Sequence, residues 1–124
     1  MPVLTEDLAR TGHYIVSEAN GYRSREEITV ASGAGVLKAG RVLGKVTATG
    51  KYVNYTPGAS DGSQNEVAIL YQVCHATSAD VRRTITARDS EVQADVLNWG
   101  PAVTTDTHKN TALAALAALG IISR

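Results

Sequence analysis

Gly40-Arg41-Val42-Leu43-Gly44-Lys45-Val46-Thr47-Ala48, then Thr49-Gly50, then Lys51-Tyr52-Val53-Asn54-Tyr55 is the stretch on which the fold turns. Two runs rich in Val, Thr and Tyr suit a pleated, half-buried chain. The glycine between them tolerates the positive φ of a tight reversal. The pair reads as a hairpin. Thr56 to Asn65 follows, with Pro57, Gly58, Asp61 and Gly62, and reads as a loop by its turn residues. Val67 to Cys74 comes next and is apolar on both parities, with Val67, Ile69, Tyr71 and Val73 on one and Ala68, Leu70 and Cys74 on the other. Side chains alternate across a strand, so such a segment is central, buried on both faces, or part of a subunit contact.

Working outward, Asn20-Gly21 offers a turn, Ile28-Thr29-Val30 a β-branched strand, Ser32-Gly33-Ala34-Gly35 a loop and Thr84 to Arg88 a further strand. Val92 to Leu97 reads as a strand or a helical turn before the break at Trp99-Gly100-Pro101. One helix closes the chain. Thr105 or Asp106 caps it, Ala112 to Leu119 is built of strong helix formers, and Leu113, Leu116 and Ala117 form its apolar stripe. Gly120 stands where a left-handed cap belongs, and Ile121-Ile122 return to extended chain. Met1 to Gly12 shows no sustained period, and a short apolar run, His13 to Val16, follows it. The expected organisation is an extended N-terminal arm, 1–16, and a β domain, 17–124. The expected fold class is mainly β with a short C-terminal α-helix.

Composition bounds the partners. Twelve basic and twelve acidic side chains cancel in 124 residues, so the excess Lys and Arg of a nucleic-acid binder is missing. No apolar run approaches the roughly 18 residues of a membrane span, and the N-terminus lacks the pattern of a secretory signal. The expectation is therefore no direct nucleic acid and no membrane. Cys74 is the single cysteine, which excludes an intrachain disulfide and a cysteine-built zinc site from one chain.

The search for chemistry yields little. His13, His75 and His108 stand in no metal-binding spacing. His75, next to Cys74, points to the opposite face of a strand and makes no Cys–His pair. Cys74 reads as a small buried residue. Gly33-Ala34-Gly35 lacks the third glycine and the helix of a phosphate loop, with Lys38 where that glycine would fall. Asp89 and Glu91 share a strand face and read as a solvated strand edge. Lys51 at a hairpin tip is how lipoyl and biotinyl carrier domains present their arm, but Gly50-Lys51-Tyr52 lies in no symmetrical pair of halves. The expectation is no enzyme, no metal and no cofactor. A small β-barrel carrier or ligand-binding domain using Lys51 is the alternative reading.

From Ser17-Glu18-Ala19-Asn20-Gly21-Tyr22-Arg23-Ser24-Arg25-Glu26 onward the chain resembles the head decoration proteins of tailed bacteriophages, the family of the phage lambda decoration protein. The likeness continues in order through Ile28 to Gly33, Lys38-Ala39-Gly40-Arg41-Val42-Leu43-Gly44, Asp61-Gly62 with Val67 to Leu70, Val96-Leu97-Asn98-Trp99, and Ala112 to Ile122. It spans about Ser17 to Ser123. The resemblance implies a β-clip-like partial barrel with an extended N-terminal arm. It implies a homotrimer on the outer surface of the expanded head, at threefold and local threefold positions, bound to the major capsid protein and holding the shell against internal DNA pressure. The place is the virion, with the host cytoplasm during assembly. The resemblance also implies an arm that adds a strand to the capsid protein's sheets. Val3, Leu4, Tyr14, Ile15 and Val16 are the expected capsid contacts. The same Tyr14 to Val16 stretch reads equally as a strand of the domain's own sheet. Ser24-Arg25-Glu26 reads either as a buried Arg–carboxylate pair or as an exposed edge strand.

Overall fold

The structure is a computed structural model and describes residues 10–124. Among the described residues, ten strands, one 3-10 turn and one helix follow in order. The strands are β1 (Ile15–Glu18), β2 (Arg25–Val30), β3 (Gly35–Leu37), β4 (Val42–Lys45), β5 (Tyr52–Asn54), β6 (Glu66–Leu70), β7 (Cys74–Ala76), β8 (Val81–Thr86), β9 (Ser90–Val92) and β10 (Ile121–Ser123). The 3-10 turn is Ala94–Val96 and α1 is Asp106–Ala118.

The hairpin forms where expected: β4 and β5 run antiparallel, with Leu43 opposite Asn54 and Lys45 opposite Tyr52. It becomes part of a closed five-strand barrel in the order β2-β5-β4-β6-β8. One parallel pairing, Val30 to Tyr52, joins β2 to β5, while β2 and β8 pair antiparallel from Arg25–Thr86 to Val30–Val81. A three-stranded sheet β1-β9-β10 and a two-stranded ribbon β3-β7 complete the domain. The expected mainly-β architecture with one C-terminal helix is what the chain adopts.

Two apolar clusters hold these parts together. One gathers Ile28, Val30, Leu37, Leu43, Ala68, Leu70, Cys74, Ala76 and Ile85. The other sits under α1 and contains Tyr14, Val42, Ile69, Val92, Leu97, Ala112, Leu116 and Ile121. β4 and β6 feed both. Leu43, Ala68 and Leu70 go to the first, and Val42 and Ile69 to the second. That is why the segment after Asn65 is apolar on both parities: it lies between two cores, the pattern of a strand covered on both faces.

Three local details depart from the sequence reading. The apolar run Val67–Cys74 is two strands, because Tyr71 turns out of the barrel and β7 then pairs with β3 in a separate ribbon. The loop expected at Ser32 to Gly35 ends by entering that ribbon, so β3 is an element the sequence did not announce. Asp89 and Glu91 do not form a strand edge: Asp89 lies in the bend before β9, at φ +50°, and Glu91 is in β9, the middle strand of its sheet. The helix is capped and ended as expected: Thr105 accepts from the His108 backbone N–H at 3.3 Å, and Gly120 at φ +90° turns the chain into β10. Its buried stripe is Ala112 and Leu116 with half-buried Leu113, while Ala117, expected in the stripe, is exposed.

The loop between β5 and β6 is fixed by a close approach. A Cβ on Gly62 would lie 2.5 Å from the Lys45 carbonyl oxygen, and its φ is +111°. The Thr47 N–H donates to the Asp61 carbonyl at 2.9 Å beside it. The loop packs against the barrel only because glycine stands there.

Candidate functional site

The N-terminal segment joins the domain at Gly12, and the residues that receive it define the candidate site. The Gly12 N–H donates to the Tyr71 carbonyl at 2.9 Å. Its φ is +67°, and a Cβ would lie 2.8 Å from the Tyr71 ring, so the ring covers bare backbone. His13 follows, with Nδ1 2.8 Å from the Arg10 carbonyl and Nε2 3.0 Å from the Val96 carbonyl. The segment is thereby tied to β6's exit on one side and to the 3-10 turn on the other.

Tyr14 is fully buried, and its hydroxyl meets the Thr86 hydroxyl at 2.6 Å. Burial pushes its phenol well above the usual tyrosine range. The structure thus places Tyr14 inside the core under α1, where an aromatic body with one satisfied polar tip is stable. Ile15 is half-buried in β1 opposite Val92, and Val16 sits at the irregularity between Ile15 and Ser17 with 57% of its surface exposed. The run 14–16 is part of the domain's own packing, and close packing starts before Ser17. Val3 and Leu4 lie outside the described residues.

Among the described residues β1 pairs with β9 alone, so in that set its other edge carries no strand partner. On the outer face of this sheet Ser17, Glu91 and Ile122 stand in one row across the three strands. Glu91 accepts from Ser17 at 2.9 Å and from Arg124 Nε at 2.6 Å. The Arg124 contact, then that of Ser17, holds its carboxyl below the ordinary glutamate range. Glu91 therefore ties both terminal strands to the middle one.

Beside the entry point the polar signature is resolved into two ion pairs. Arg25 donates to Glu18 through Nη2 at 2.6 Å, and the buried Ser24 hydroxyl donates to the same carboxylate at 3.2 Å. The Arg25 guanidinium also lies 4.3 Å from the Tyr71 ring centre, a cation–π contact. Glu26 instead pairs with Arg88 on the outside. Tyr71, Arg25 and Tyr22 line a shallow groove of about 300 Å³, with Tyr22 82% exposed at its rim.

The residues considered for chemistry are not brought together. Cys74 is buried in a core, its thiol pushed up by burial, and His75 is exposed on the other face of the ribbon. Asp89 lies by Arg23 and Glu91 by Arg124, so the two carboxylates serve separate pairs. Lys51 beside the hairpin turn is held by Asp80 at 2.6 Å, and that pairing draws the Asp80 carboxyl below its usual range. Among the described residues no group of three or more His, Cys, Asp or Glu is placed to hold a metal ion. The anchors at Gly12, Tyr71, Tyr14 and Thr86 have no signature in the sequence, because each works through a partner far away in the chain.

No curated protein sequence matches this chain. The family model described as Bacteriophage lambda head decoration protein D matches residues 3–121. The match spans the domain and reaches into the segment ahead of it, and on that extent the chain belongs to the family of bacteriophage lambda head decoration protein D, structural proteins of the virus capsid.

Proposed function

We propose that this protein binds the outer surface of the expanded phage head as trimers at threefold and local threefold positions, contacts the major capsid protein, and stabilises the shell against internal DNA pressure. The observation that carries this reading is the family match over residues 3–121. The role is structural, with no catalysis, and the protein joins the shell after the host cytoplasm has supplied both partners.

The segment ahead of Gly12 is the arm in this reading, and its root supports the assignment. It leads into a strand whose outer edge has no partner among the described residues, and an extended peptide adds to a sheet edge through main-chain hydrogen bonds. Eleven residues precede Gly12, and extended chain spans at most ~3.3–3.6 Å per residue, a reach of at most roughly 40 Å. Val3 and Leu4 are the apolar contacts, Val16 extends them on the exposed edge, and Tyr14 and Ile15 hold the root. Ordering an arm costs on the order of 1–2 kcal/mol per residue. Three arms around one axis offset that cost, since the second and third bind at high effective concentration.

Co-sedimentation with capsid shells tests the proposal. Full-length protein is expected to bind expanded shells in multiples of three and to ignore unexpanded ones. Protein beginning at Gly12 is expected to bind far more weakly. Equal binding by both lengths would remove the arm from the contact. No binding of either to expanded shells would end the decoration reading.

A further inference from the structure

Among the described residues, Arg41 is a half-buried cation without an anion. Its Nη1 donates to the Asn54 side-chain oxygen at 2.8 Å, a neutral acceptor. Its Nε is buried and has no hydrogen-bond partner. No carboxylate of the described residues forms an ion pair with it; Lys38, Lys45, Arg83 and Lys109 have none either, but none of those four has a buried nitrogen without a partner. Desolvation lowers its proton affinity, and no nearby acid opposes the shift. A guanidinium taken out of water and given one neutral bond destabilises the free domain. Its planar fork is shaped to take a carboxylate through two parallel bonds.

The complement lies on the same surface. Asp95 and Asp106 are exposed and carry no ion pair among the described residues. Both line one cleft of about 320 Å³ between the 3-10 turn and the start of α1, with Leu97 and Trp99 as its apolar part. Lys109 also lines the cleft, so two carboxylates face one ammonium there. The 3-10 turn and Arg41 belong to neighbouring backbone, since Arg41 bridges to Asn98. One chain therefore presents an unmatched cation and an unmatched pair of acids on different elements. That is the arrangement of a head-to-tail contact, which closes into a ring around a symmetry axis.

We infer that Arg41 is a carboxylate receptor completed by a second copy of this chain, whose acidic cleft at Asp95 and Asp106 supplies the partner. This rests on the reading that the protein sits in threes on the head, and it names the contact between the copies. The contact sets neighbour specificity, because a copy lacking the carboxylate leaves the cation buried and unpaired.

The test compares full-length Arg41→Met, Arg41→Glu, Asp95→Arg and Asp106→Arg with the unaltered protein. Each is scored for affinity to expanded shells and, as concentrated free protein, by sedimentation equilibrium. Arg41→Glu is expected to lose at least tenfold in the association that the unaltered protein shows, as is one of the two acid variants. Combining Arg41→Glu with that acid variant is expected to restore association to within threefold. Arg41→Met is expected to lose association while its urea midpoint stays equal or rises, since an apolar group replaces a desolvated charge. A fall in the midpoint that accompanies the loss would assign Arg41 to the domain's own stability and overturn the inference. So would association of Arg41→Glu like the unaltered protein, or failure of both combinations to rescue it. Shell binding lost in Arg41→Glu with sedimentation unchanged would place the carboxylate on the shell and likewise overturn it. Unaltered protein that ignores shells would sink the head-binding reading by itself, and the sedimentation series would still decide the contact between copies.

Discussion

Removing the Tyr14 hydroxyl is expected to destabilise the domain by about 1–2 kcal/mol. The phenol is fully buried and its oxygen lies 2.6 Å from the Thr86 hydroxyl, itself fully buried. Tyr14→Phe keeps the ring in the core beneath α1 and removes only the oxygen. Thr86 is then left with a buried hydroxyl lacking that partner, a loss of roughly 1–3 kcal/mol for a neutral group. Thr86→Val strands the Tyr14 hydroxyl in the same way. The double variant strands neither, so its loss is expected to be smaller than the sum of the two by at least about 1 kcal/mol. Urea unfolding of the three variants reads the cycle, with an unchanged m value as the sign that the native and unfolded states keep their compactness. Strict additivity would refute the reasoning, because independent residues cannot share a bond. A loss below about 0.3 kcal/mol for Tyr14→Phe would refute it too, since a buried orphan hydroxyl costs more than that. The alkaline limb adds a check of sign. The folded phenol holds its proton above the unfolded value of about 10, so stability is complete below that pH and declines as pH rises above it. Tyr14→Phe is expected to flatten that decline.

Three further outcomes follow from the same structure. Gly62→Ala combines a φ of +111° with a Cβ 2.5 Å from the Lys45 carbonyl, and is expected to cost on the order of 1–3 kcal/mol in thermal or urea unfolding. The Glu91 carboxyl is held low by Arg124 and then Ser17, so its contribution is present above the unfolded value and is lost as pH falls through the folded one. Arg124→Ala is expected to move the Glu91 titration upward in an NMR experiment, and no movement would deny the pair its role. Leu116→Ala, at 1% exposure in the core under the helix, is expected to cost about 2–5 kcal/mol and to shift the urea midpoint at constant m.

Much of the fold is legible along the chain, and the particular elements show why. The β4–β5 hairpin declares itself because two β-prone runs and a glycine-bearing turn are local features. The helix does so because its cap, stripe and terminating glycine fall within one short window. β3 stays hidden: three residues after glycines have no period, and only β7, far along the chain, gives them a partner. Glu91 looked like an edge charge because neighbours in a sheet are invisible from one strand's alternation, and β10, which covers β9, arrives some thirty residues later. Tyr14 reads equally well as arm or as core until Thr86 and the residues under α1 are brought to it.

Composition, turn chemistry and the order of short motifs were enough to determine a mainly-β chain with a C-terminal helix, a family resemblance and the lack of any familiar catalytic spacing. Each of these is a local property or a sum over residues, and needs no partner to be read. The tertiary structure decided that Tyr14 packs in the core, which strands close the barrel, that β6 serves two cores, and that Arg41 is half-buried without an anion among the described residues. Those are properties of pairs distant in sequence. A side chain's burial and its missing partner exist only once the whole chain has folded around it.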